Sequence, residues 1–153
     1  MIQKRPNCPI AFEKLGATAL TQENYSNAIV YFQKVIALKP DNTRAYNDRG
    51  LAYLRKGDYD HAVGDFNKAI ELDSKDALAY SNRGLAYTGK GDYERAIRDF
   101  DQVIQFDPSY AKTYNNRALA YWKKGDYHQA TRDFEKFIKL DPTDAIAHKN
   151  ISR

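Results

Sequence analysis

The side chains best equipped for chemistry in this 153-residue chain are three histidines, one cysteine and a scatter of carboxylates. Their spacing suits no reaction. His61, His128 and His148 are too dispersed to form a metal-ligand motif, and Cys8 has no second thiolate to share a zinc ion. No phosphate-binding loop, nucleophile elbow or Cys–His arrangement occurs. The carboxylate pairs fall at cap and surface-helix positions, where charge is solvated or stabilises a helix start. The expectation is therefore no catalytic residue, no metal and no cofactor. What does recur at regular spacing is recognition chemistry: asparagines at 82, 116 and 150, and arginines at 49, 83 and 117. The segment YNNRALAYWKKGDY (114–127) even resembles a surface that stacks bases and holds phosphates.

The elements that must position these residues are written as a repeat. AYNDRGLAYLRKGDYDHAVGDFNKAIELD (45–73) returns at 79–107 and again at 113–141, a period of 34 residues. A more divergent copy occupies 11–39, and a fifth begins at Ala145. Within each unit two stripes follow helical spacing, such as Tyr80, Arg83, Gly84 and Tyr87, then Tyr93, Ala96, Ile97, Phe100 and Ile104. Gly91 is placed to end the first helix and Asp92 to cap the second, and Gly57–Asp58 and Gly125–Asp126 repeat the device. Pro40, Pro108 and Pro142 follow the second helices, which proline cannot extend. No segment alternates as a strand would, so the fold class is all-α, a stack of antiparallel helix hairpins.

A 34-residue unit with an aromatic at position 4, Gly or Ala at 8, Tyr at 11, Ala at 20, Phe at 24 and Pro at 32 resembles the tetratricopeptide repeat. Position 8 is Gly16, Gly50, Gly84 and Ala118; position 24 is Phe32, Phe66, Phe100 and Phe134. The resemblance divides the chain into an extension (1–8), repeats at 9–42, 43–76, 77–110 and 111–144, and a partial repeat or capping helix at 145–153. It implies a right-handed superhelical solenoid whose first helices line a concave, peptide-binding groove.

Most of the conspicuous residues then sort into scaffold. Ten of the twelve tyrosines fall at repeat positions 4, 11 or 17, among them Tyr114, Tyr121 and Tyr127, and are assigned to packing between helices. Position 7 carries Arg49, Arg83 and Arg117 where the family favours leucine, and position 23 switches in step to Asp65, Asp99 and Asp133. The first repeat has Leu15 and Tyr31 instead. Charge at both sites or at neither is what pairing of costly buried charges requires, so an Arg–Asp bridge is expected in each later hairpin.

Ligand candidates are first-helix residues off the packing stripe, which the resemblance places on the concave side at positions 2, 5, 6, 9, 12 and 13. Position 6 reads Lys14, Asp48, Asn82, Asn116 and Asn150. Amides that both donate and accept could hold an extended backbone, an arrangement similar to the asparagine ladder in O-linked N-acetylglucosamine transferase. The same residues could equally be solvated positions multiplied by duplication. Asn47 and Asn115 hold position 5, while Leu51, Leu85 and Leu119 form an apolar ladder at position 9. Trp122 is either an interface anchor or a packing residue for the partial fifth repeat. Arg55, Lys112 and Lys123 make the face basic, favouring an acidic or extended peptide. The family's clamp for chaperone carboxylates is matched only at Asn82 and Lys112; Asn47, Leu51 and Asn116 occupy its other places, so that ligand is not expected.

The net charge of +4 is too small to demand nucleic acid or a membrane, and no stretch could span a bilayer. A lone cysteine and the absence of an apolar leader suit the cytoplasm. The expected function is a non-catalytic scaffold for a protein or peptide ligand. The alternatives are a homo-oligomer formed through the open C-terminal end, or the repeat portion of a larger protein.

Overall fold

The computed structural model describes residues 7–143. The first six residues and the partial fifth unit, with Asn150, lie outside the described residues. Eight helices follow in order: α1 (Pro9–Thr21), α2 (Tyr25–Leu38), α3 (Thr43–Lys56), α4 (Tyr59–Leu72), α5 (Ala77–Lys90), α6 (Tyr93–Phe106), α7 (Ala111–Lys124) and α8 (Tyr127–Leu140). Every regular element among the described residues is an α-helix. They form two compact units divided after Ala79, so α5 begins in the first unit and continues in the second.

The helix ends are set by local chemistry. Asn24, Asp58, Asp92 and Asp126 each accept a hydrogen bond from the backbone N–H three residues on, capping the second helices. Before them, Gly57, Gly91 and Gly125 adopt left-handed backbone with φ of 86°, 81° and 94°. Around Gly57 the chain closes with Gly57 N–H donating to Leu54 and Asp58 N–H to Tyr53, the six-to-one closure that satisfies the last carbonyls of a helix. The first hairpin makes the same closure without glycine. Glu23 stands at that place with φ of 59°.

In the first unit Phe32 packs with Ala19, Ala28, Ile29 and Ala52, and Tyr46 packs with Ala69 and Ala79. In the second, Phe134 packs with Ala118 and Ala130, and Phe137 with Tyr114. The small residue at position 8 leaves room for the phenylalanine at position 24 on the neighbouring helix. A β-carbon built at Gly50 would fall 2.7 Å from the Phe66 ring, a distance real β-carbons do not reach. In the fourth hairpin Ala118 takes that place, and Phe134 is still 4% exposed.

The tyrosines divide more finely than the repeat position implies. Tyr46, Tyr87 and Tyr114 are buried, whereas Tyr127 is 61% exposed and corrects its assignment to the core. As the first residue of α8 its ring lies beside the hairpin's turn, edge-on to Trp122 at 6.1 Å.

The concave-face candidate site

Each of the three later hairpins is tied by a two-pronged Arg–Asp pair between its helices. Arg49 donates to Asp65 through Nε (2.9 Å) and Nη2 (2.7 Å), Arg83 to Asp99 (2.8 and 2.7 Å), and Arg117 to Asp133 (2.7 and 2.7 Å). Arg117 has a third bond, from Nη1 to Asp101 of the preceding hairpin at 2.8 Å. Burial works against the charge on Arg117, and the bonds it donates to Asp133 and Asp101 outweigh it, leaving its pKa above the ordinary guanidinium value. Burial likewise raises the Asp99 carboxyl, against the lowering by Arg83. Tyrosines at positions 4 and 11 complete the arrangement: the Arg83 guanidinium lies 5.4 Å from the Tyr80 ring centre and 5.8 Å from that of Tyr87. Sequence reasoning missed this sandwich, although tyrosines three before and four after each arginine were its signal. These arginines are engaged in the scaffold.

The remaining candidates occupy several environments. Asn47 is 5% exposed, and its Nδ2 donates to Asp76 Oδ2 at 2.6 Å. It is a correction to its place on the binding face, because position 5 reaches the residue that caps the first helix of the next repeat. Glu13 and Asn42 make the equivalent bond at 3.0 Å. Asn82 is buried, at 9% exposure; Asn115 and Asn116 are half-buried. Leu119 packs on the Ala118–Phe134 cluster, which gives it a structural use that its ladder position concealed. Leu51 is half-buried, and Leu85 is 36% exposed. Arg55, Lys112 and Lys123 are exposed, and so is Trp122 at 54%.

In the first unit the candidates come together between α1 and α3. A hollow of about 410 Å³ is lined by Ala17, Leu20 and Tyr25 on one side and by Arg44, Leu51 and Arg55 on the other. It adjoins a second hollow of about 200 Å³ that includes Glu13, Lys14, Arg44 and Asp48. Ala17, Arg44 and Asp48 line both. Burial pushes the Asp48 carboxyl above the ordinary carboxylate range; Arg44, 3.7 Å away and mostly in solvent, pulls it back, and Glu13 pushes it further up. The described residues contain no group of three or more His, Cys, Asp or Glu able to hold a metal ion. No described helix is long and apolar enough to cross a membrane.

Paired helices repeated every 34 residues, with an open hollow between the first helices of the first two hairpins, define a helical-hairpin repeat array. The tetratricopeptide repeat family model matches residues 83–150, and a second model of the same repeat matches 19–57 and 50–91. The chain belongs to the tetratricopeptide repeat family. The second such domain of human RPAP3, solved in complex with the HSP70 peptide SGPTIEEVD, is 33% identical with a TM-score of 0.66, over 70% of this chain and 89% of that one. The crystal structure of MamA is 27% identical with a TM-score of 0.84, over 95% of this chain and 85% of that one. TTC0263, a thermophilic repeat protein of Thermus thermophilus, shares the fold at 19% identity, with a TM-score of 0.83 over 99% of this chain and 83% of its own. Comparison with curated proteins gives no significant match.

Proposed function

We propose that this chain is a protein-interaction scaffold that holds a peptide segment of a partner protein against its first helices, without chemistry of its own, in the cytoplasm. The observation that carries the reading is the hollow between α1 and α3. Its base is apolar (Ala17, Leu20, Leu51), its mouth is open, and charged side chains stand on its rim. Apolar surface held open between two helices is what a ligand side chain needs. The peptide-bound RPAP3 domain supports a peptide as the ligand type, because that domain resembles this chain over most of both lengths. The expectation of an acidic ligand carries over to the Arg55 end of the hollow; Glu13 and Asp48 oppose it at the other end.

The test is recovery of partner proteins with Leu51→Asp and with Lys34→Glu, which lies on the second helix of the first hairpin. A partner recovered by the wild type and by Lys34→Glu, but lost with Leu51→Asp at unchanged helix content, supports the groove. Equal recovery with both variants refutes it.

A further inference from the structure

The α1/α3 hollow carries a charge order as well as an apolar base. On α3, Asp48, Leu51 and Arg55 are spaced three and four residues apart, which places them along one helix face. On α1, Glu13, Ala17 and Leu20 run the same way with spacings of four and three. Both helices therefore present acid first and apolar surface next, and α3 ends the series with a base. At 1.5 Å of rise per residue, Asp48 and Leu51 stand about 4.5 Å apart along the axis, and Leu51 and Arg55 about 6 Å. Alternate side chains of an extended peptide are separated by roughly 6.6 Å and share one face.

Among the described residues the charges at the two ends are only partly paired. Arg55 has no ion-pair partner among the described residues, and Glu23, exposed on the same rim, is not bonded to it. At the other end the Asp48 side chain is only 28% exposed and meets a single cation, Arg44, whose own side chain is 89% exposed. Glu13, whose Oε1 accepts from Asn42, adds a second negative charge beside Asp48, and although Lys14 lines the same hollow, Arg44 is the cation that acts on Asp48. A cation from outside would relieve that end, and a carboxylate would complement the other.

We propose that the hollow selects an extended segment bearing a basic, an apolar and an acidic side chain at alternate positions, with the basic group at Asp48 and Glu13, the apolar group between Leu20 and Leu51, and the acidic group at Arg55. This rests on the groove reading above and adds the chemistry of the ligand to it.

The probes are three blocked pentapeptides, Lys-Ala-Leu-Ala-Glu and the two in which glutamine replaces the lysine or the glutamate. They are titrated into the isotope-labelled full chain and followed by amide NMR. The matched peptide shifts the amides of Ala17, Leu20 and Leu51, and each glutamine peptide binds about fivefold more weakly, as loss of one partly exposed ion pair implies. Asp48→Asn abolishes the preference for lysine over glutamine, and Arg55→Gln abolishes the preference for glutamate. Equal affinity of all three peptides at these amides overturns the charge order and leaves the groove standing. Shifts confined to other helices, or no shift with any peptide, overturn both.

Discussion

At the residue scale, the Arg–Asp pairs show how charge can replace an apolar contact inside a hairpin. Arg49 is joined to Asp65 through two bonds, with side chains 19% and 8% exposed, so both ions have given up most of their hydration. Removing one partner of such a pair leaves a stranded charge and costs about 3–5 kcal/mol, whereas replacing both with a packed apolar pair is often neutral. The first repeat carries uncharged residues at these two positions, a partly buried Tyr31 and a Leu15 that is 46% exposed. Urea unfolding should find Arg49→Leu destabilised near the lower end of that range, since the arginine is partly wet. Arg49→Leu with Asp65→Tyr should regain most of the loss. Additive losses in the double variant would mean that position 7 needs the charge for a reason other than pairing.

At the element scale, the hairpin turn depends on one residue held in left-handed backbone. Three turns use glycine there, and the first uses Glu23, whose β-carbon crowds the following carbonyl in that conformation. Glu23→Gly should therefore raise the melting temperature, with a gain of about 1 kcal/mol. A lower melting temperature would show that the Glu23 side chain contributes more than its backbone costs. The reverse change at Gly57 should cost a similar amount.

At the scale of the whole molecule, the described part of the array is uneven in a way the repeats make visible. The first hairpin lacks the Arg–Asp pair, leaves Leu15 46% exposed, places Glu23 in strained backbone and begins at Cys8 without a side-chain cap. In repeat arrays stability is nearly a sum over units and their nearest neighbours, so a weak unit opens first. Hydrogen exchange should find the amide of Phe32 in α2 less protected than that of Phe66 in α4, although both rings are fully buried. Equal protection would mean that the two hairpins open together.

By itself the sequence determined the helices, their caps and turns, and the pairing of position 7 with position 23. These follow from interactions within one 34-residue unit, and repetition averages out the ambiguity of any single copy. It could not tell which polar residues of the first helices remain available. Asn47 has the same amide as Asn116 and sits one repeat position away from it, but its Nδ2 is taken by Asp76, 29 residues on. Leu51 and Leu119 share a repeat position, and one borders an open hollow while the other supports a phenylalanine cluster. Tyr114 and Tyr127 are the same residue type in one hairpin, one covered and the other bare. Only tertiary structure decided these cases, because exposure and hydrogen-bond partners depend on what the neighbouring helices bring to the same space.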